Sequence, residues 1–201
     1  MCMPADDGYP DLSFTATDLI GVRILLHPYD EDRDFDRIAG MLSDPMVTGP
    51  MGIPHPVPFV EELRRAKRER ADRPEIGDWT IFLVENDSET FAGEVGIANW
   101  DAEFHIVEIF VSILPEVSGK AIGREAVSLL SGHIFKASPI ACIRIQALEM
   151  NVVSLKLASS LGFRETGRRY VDADPGRGFV GGIAVMMDLR AHEFRPFEMN
   201  E

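Results

Sequence analysis

PEVSGKAIGREA, residues 115–126, is the stretch whose reading decides the fold. The run before it, VEIFVSIL at 107–114, is dominated by β-branched and aromatic residues, as a largely buried strand is, and Pro115 ends it by withholding a ladder donor. After it Ile122, Ala126, Leu129, Leu130 and His133 recur at the spacing of one helical face. Strand, turn and helix therefore follow one another. A helix N-terminus offers N–H groups without partners inside the helix, together with partial positive charge. Small residues at Gly119, Ala121 and Gly123 let a ligand approach that backbone closely. The segment reads as a seat for a pyrophosphate, yet it is neither the GxGxxG dinucleotide fingerprint nor a P-loop, because GxxxxGK followed by Ser or Thr does not occur in it.

A second strand–helix succession lies downstream. In ACIRIQALE, residues 141–149, Ile143, Ile145 and Ala147 alternate with Arg144 and Gln146, the pattern of a strand. Asn151 then suits a helix N-cap, and Val153, Leu157 and Leu161 share the face of the helix that follows.

Glu116, Val117, Ser118, Gly119, Lys120 and Ala121 resemble the acyl-coenzyme-A loop of the GNAT superfamily of N-acyltransferases, written Gln or Arg, two residues, Gly, one residue, Gly or Ala. Glu116 departs from it at the first position. The whole stretch is similar to the PExxGKGxxxEA run of the ribosomal-protein N-acetyltransferase branch, and residues 151–167 resemble that branch's NxxSxxxxxxLGFxxxG. The likeness covers residues 19–190 and implies an α+β fold, with a central twisted mixed sheet of about seven strands flanked by helices. It also implies a splayed central strand pair that receives the cofactor arm, with acetyl-CoA or another acyl-CoA as donor and no metal.

A chain of 201 residues, 45% of them hydrophobic, is expected to bury one core, with a loose arm at 1–18 and a tail at 191–201. The net charge of −13 argues against a nucleic-acid partner and fits a cationic acceptor. No apolar run reaches the ~18 residues needed to span a bilayer, and the N-terminus lacks the pattern of a secretory signal, so the expectation is a cytoplasmic protein with no membrane partner. Cys2 and Cys142, the only cysteines, support neither a disulfide framework nor a thiolate metal site and read as free thiols. A homodimer is compatible with all of this.

Along the chain, LIGVRILLH at 19–27 reads as a first strand. The acidic run Asp30, Glu31, Asp32 and Asp34 then suits the start of a helix carrying Phe35, Ile38, Ala39 and Leu42. Residues 43–59, rich in Pro and Gly and holding His55, form a long irregular connection. A helix over 60–71 presents RRAKRER as a solvated face. WTIFLVE at 79–85 and FAGEVGIANW at 91–100 make a hairpin around NDSE, and two closing strands at 164–171 and 180–189 flank DADPGRG.

Moving an acyl group from a thioester to an amine needs a neutral amine, a polarised carbonyl and a proton for the leaving thiolate. The resemblance implies that backbone amides of Val111 and Ile113 hold the thioester arm. Those from Ser118, Gly119, Lys120, Ala121, Gly123 and Arg124 would take the pyrophosphate, with charge added by Lys120 and Arg124, and Asn151 heads the second cofactor helix. The tyrosine that many members place seven residues after the asparagine is replaced here by Ala158, while Ser154 matches the branch's serine near the sulfur. Gln146 replaces a glutamate of some members, leaving Glu108 and Glu94 as candidate bases, with His105 a weaker one. Without tyrosine and glutamate, the alternative is a GNAT-fold module that binds acyl-CoA and does not transfer efficiently.

Overall fold

The computed structural model describes residues 17–54, 60–73, 76–101 and 103–198. Cys2, His55 and nearly all of the proposed arm lie outside these. The run LIGVRILLH does not form one strand. Gly21 N–H donates to Ile24 O (2.9 Å) and folds the run into β1 (Leu19–Ile20) and β2 (Ile24–Pro28), which pair antiparallel with Leu19 opposite Leu26. The turn is fixed from outside: the buried carboxylate of Glu125, more than a hundred residues later, accepts from Val22 N–H (2.6 Å) and Arg23 N–H (2.9 Å).

Helix α1 (Glu31–Met41) begins as its acidic start requires, with the Asp30 side chain accepting from Arg33 N–H (2.9 Å). Asp34 is the exception to solvation. It is fully buried, accepting from Arg33 Nε (2.7 Å), Thr80 Oγ1 (2.7 Å) and Asp30 N–H (3.0 Å), and these bonds hold it ionised below its ordinary range against the opposing cost of burial. The Pro- and Gly-rich connection contains one short helix, α2 (Pro45–Thr48), capped by Asp44.

Helix α3 (Val60–Ala71) has the predicted bounds, but its basic run is not a solvated face. Lys67 turns inward and meets Glu94 (2.6 Å) and Asp78 (3.0 Å), Arg70 meets Asp78 and Ile97 O, and Arg64 and Arg68 both bond Glu31. Helical spacing of three residues between Arg64, Lys67 and Arg70 puts them on the side that packs against the sheet.

Strands β3 (Asp78–Glu85) and β4 (Ser88–Asp101) form the expected hairpin. Its turn is only Asn86-Asp87, both left-handed (φ 50° and 61°), as a two-residue type I′ turn demands; Ser88 and Glu89 belong to the strand. Next come β5 (Ile106–Ile113), α4 (Ile122–Ala137), β6 (Cys142–Leu148), α5 (Val152–Ser160), β7 (Arg164–Val171) and β8 (Gly182–Arg190). The eight strands are ordered β1-β2-β3-β4-β5-β6-β8-β7, all neighbours antiparallel except β5 and β6. The eighth strand, beyond the seven or so expected, comes from the divided first run.

Both faces of the sheet are covered, so its central strands bury alternate residues on each side. Trp79, Ile81, Val95, Ile97, Ile109 and Ile143 pack under Ile122, Ala126, Leu130 and Ile134 of α4. On the other face Phe35, Ile38 and Met41 of α1 are buried near Thr80 and Phe82. Beyond β8 the chain returns over α4: Phe194 meets Phe135 (ring centroids 5.5 Å), and Phe197 N–H donates to Ser128 Oγ (2.8 Å).

Candidate active site

The parallel pair β5 and β6 is hydrogen-bonded over three registers only, Ile106 with Cys142, Val107 with Ile143 and Glu108 with Arg144. Past Glu108 the strands part around a cavity of about 230 Å³. Its walls include Ile109, Val111, Ile145 and Ala147 and also Phe110, Ser112, Gln146 and Leu148. Successive strand residues point to opposite faces, so the cavity is a slit that passes through the sheet. On the α4 side it meets Asn151, Ser154 and Leu157 of α5. On the other it is roofed by Met51 and Phe179, which are brought together where Val180 N–H donates to Gly52 O (2.9 Å).

Strand β5 offers donors to the slit. Leu114 N–H donates to Ala92 O of β4 (2.9 Å), so by alternation the N–H groups of Ile113 and Val111 face the other way, toward the gap. The approach of β4 and β5 is close enough that a Cβ on Gly93 (φ 152°) would stand 2.1 Å from Ser112 O.

At the end of the slit lies the turn from Pro115 to Ala121. Gly119 (φ 79°) and Ala121 (φ 62°) are both left-handed, and around Gly119 a side chain would meet only open space. The N-terminus of α4 has no side-chain cap. Ser118 and Lys120 N–H are engaged within the turn, by Pro115 O and Val117 O, while those of Gly119, Ala121, Ile122, Gly123 and Arg124 have no described acceptor. Of the amides expected to form the cradle, from Ser118 to Arg124, those of Ser118 and Lys120 are thus committed within the turn. Lys120 is exposed beside it, but Arg124 is not aimed at the turn: its guanidinium stacks on Phe197, 4.8 Å from the ring centroid. Arg23 donates to Lys120 O and braces the turn from β2's side.

Three proton carriers were expected. Ser154 lines the slit, and where Ser43, Ser138 and Ser160 turn their hydroxyls to a carbonyl of the preceding turn, the Ser154 hydroxyl has no described partner. The cap of α5 is supplied by Asn151, whose Oδ1 accepts from Ser154 N–H (3.2 Å). Ala158, in the place of the missing tyrosine, is fully buried in the core. Glu108 sits half-buried where β5 and β6 part. Arg144, its register partner, gives a two-pronged pair to Asp188 (2.7 and 2.8 Å). Burial pushes the Glu108 carboxyl above its ordinary range, opposed by the charges of Arg144 and Arg169.

Glu94 belongs to a different setting. It is buried and held by Lys67, which burial alone would neutralise but which its two carboxylate partners keep cationic above its usual value. Burial pushes the Glu94 carboxyl above its ordinary range against the pull of Lys67, but with that ammonium 2.6 Å away the carboxylate is engaged in a structural pair. His105, left-handed in the turn before β5 and edge-on to Trp100, is also away from the slit walls. Sequence reasoning placed Gln146 at a base's position but missed its partner: Arg169 gives Nε (3.2 Å) and Nη2 (3.0 Å) to Gln146 Oε1 on the Met51 side of the slit.

No described helix is long and apolar enough to cross a membrane, and no described group of three or more His, Cys, Asp or Glu is placed to hold a metal ion. Residues 23–164 match the family profile described as Acetyltransferase (GNAT) domain. Among solved structures, a GCN5-related N-acetyltransferase from Brucella melitensis superposes with TM-score 0.72 at 16% identity, over 90% of this chain and 81% of that one. The spermidine N-acetyltransferase of Vibrio cholerae, determined with CoA and spermine, gives 0.70 at 15% identity, over 85% and 97%. A GNAT-family acetyltransferase from Bacillus anthracis gives 0.70 at 16%, over 88% and 100%. No curated protein matches the chain. At these identities the structures establish the fold; the profile, spanning most of the chain, and a sheet that opens beside an uncapped helix establish the kinship, and the chain belongs to the GNAT family of acyl-CoA-dependent N-acetyltransferases.

Proposed function

We propose that acetyl-CoA lies in the slit with its pyrophosphate on the free amides of Gly119 and Ala121 to Arg124 and its pantetheine arm along the Val111 and Ile113 N–H groups of β5. Bound there, it supplies an activated acetyl group as a thioester. The acceptor, a primary amine of a small molecule or of a protein N-terminus, enters from the opposite face between Met51, Phe110 and Phe179. Glu108 takes the proton that the acceptor ammonium must lose before its amine attacks, a task suited to a carboxylate whose affinity for protons is raised by burial. Ser154 lies on the cofactor side and relays a proton from solvent to the departing sulfur, regaining its own as it does so. The tetrahedral carbonyl oxygen would be met by strand N–H groups already aimed into the gap, which costs little reorganisation. The runs 115–126 and 151–167 support placing the chain beside the ribosomal-protein acetyltransferases.

The observation that carries this reading is the parting of β5 and β6 immediately after Glu108, with unpaired donors on one wall and an uncapped helix at its end. The test separates transfer from binding. Glu108→Gln and Ser154→Ala should bind coenzyme A as the parent does, seen as an equal thermal stabilisation, and lose turnover. Full activity in both variants would remove the assigned roles, and equal loss of coenzyme A binding would make them structural.

A further inference from the structure

Glu108, Gln146 and Arg169 share one face of the sheet. Glu108 and Arg144 are register partners, Gln146 lies two residues on from Arg144, and Arg169 reaches from β7 across β8 to Gln146. Charge on this face is almost wholly cancelled. Arg144 is bound to Asp188, Lys67 to Glu94 and Asp78, and Arg70 to Asp78. Arg169 differs, since its bonds go to a neutral amide oxygen, which orients the guanidinium without neutralising it. Those bonds use Nε and Nη2; Nη1 has no described acceptor. With its oxygen committed to Arg169, Gln146 is left to present amide N–H groups to the slit it lines.

On the same face Glu108 is a half-buried carboxylate with no hydrogen bond to a described residue, near enough to Arg169 for that charge to act on it. One unpaired anion and one uncancelled cation, both on the sheet face from which the acceptor enters and flanking the slit-lining Gln146, complement a molecule carrying both charges. We infer that the acceptor is a small amine bearing a carboxylate close to its amino group, of the amino-acid type, whose ammonium is received by Glu108 and whose carboxylate is received by Arg169 and the Gln146 amide. This rests on the acyl-transfer reading above. The roof of Met51, Phe179 and Val171 is apolar, so the remaining substituent is apolar too. A polyamine is disfavoured, because its second ammonium would meet the like charge of Arg169.

The experiment uses acetyl-CoA with matched acceptors: leucine against isopentylamine, phenylalanine against phenethylamine, and a peptide amide beginning with the same residue. Rates are corrected to the unprotonated amine. The parent enzyme should favour the amino acid over its decarboxylated partner by roughly tenfold or more in kcat/KM, the scale of a hydrogen bond to a charged group. Arg169→Gln should collapse that ratio toward one, mainly through KM for the amino acid, and Gln146→Leu should reduce it in part. A merely structural residue would lower both acceptors together. Equal or better use of the decarboxylated amine by the parent, or an undiminished ratio in Arg169→Gln, overturns the assignment. Release of thiol with none of these acceptors, nor with any other amine, overturns the transfer reading and this inference with it; transfer to amines without carboxylate preference overturns only the inference.

Discussion

Replacing Lys67 with methionine removes the ammonium that holds α3 against the sheet. The Lys67, Glu94 and Asp78 side chains are 6%, 5% and 8% exposed, so water cannot take over the lost bonds of 2.6 and 3.0 Å. Asp78 keeps Arg70, which reaches it through two nitrogens, and the cost therefore falls on Glu94. Leaving one charge of a buried pair uncompensated costs about 3–5 kcal/mol. For a chain of this size each kcal/mol moves the midpoint by about 2–4 °C, so Tm should fall by roughly 6–20 °C. Urea unfolding followed by fluorescence reports it through Trp79, which is fully buried. Adding Glu94→Gln to Lys67→Met should recover much of the loss, since a neutral amide is far cheaper to bury than a carboxylate. A Lys67→Met protein within about 1 kcal/mol of the parent, the range of an ordinary surface change, would refute the claim that the pair is a buried charge lock.

Glu108 makes two predictions at once. The kcat/KM of the parent should rise with pH along a limb lying above the ordinary glutamate range, and Glu108→Gln should abolish that limb and lower kcat/KM by roughly 10²–10⁴. Because its folded-state value is raised, ionising Glu108 loses stability as pH climbs through that value, so Glu108→Gln should be the more stable protein at neutral pH by thermal melting; a less stable variant would contradict the assigned burial. Ser154→Ala should lower kcat by roughly a hundredfold with the helix cap intact, because the cap bond runs from Ser154 N–H to Asn151. Ala121 is left-handed at φ 62° without being glycine, and Ala121→Gly should raise the unfolding free energy measured in urea by about 1 kcal/mol; a fall would mean that the turn is not strained there.

The parts legible in the sequence were those with local causes. Pro115 ends a buried strand, Asp30 and Asn151 cap helices, and the spacing of glycines before α4 marks the phosphate turn. The divided first strand was not legible because what bends LIGVRILLH at Gly21 is Glu125, remote in the chain. Reading RRAKRER as solvated failed for a similar reason. Lysine is rarely buried, and only the adjacency of Asp78 and Glu94 on neighbouring strands makes burial of Lys67 tolerable. Glu108 and Glu94 looked alike in sequence, each a carboxylate in a central strand. They differ by what the helices and β8 bring over them: Lys67 lands on Glu94, whereas Asp188 takes Arg144 away from Glu108. Arg169 had no signal of its own, since its meaning depends on β7 lying outside β8 and reaching Gln146 across it.

The central claim is that the slit brings an acyl thioester and an amine together through opposite faces of the sheet. Its most direct test is the steady-state reaction of the purified chain with acetyl-CoA and a panel of primary amines, following free thiol and acetylated amine together. The account predicts thiol released in step with acetyl-amine, with the rate lost in Glu108→Gln. Thiol release unaccompanied by acetylated amine, or no acetyl transfer to any amine tried, would contradict it.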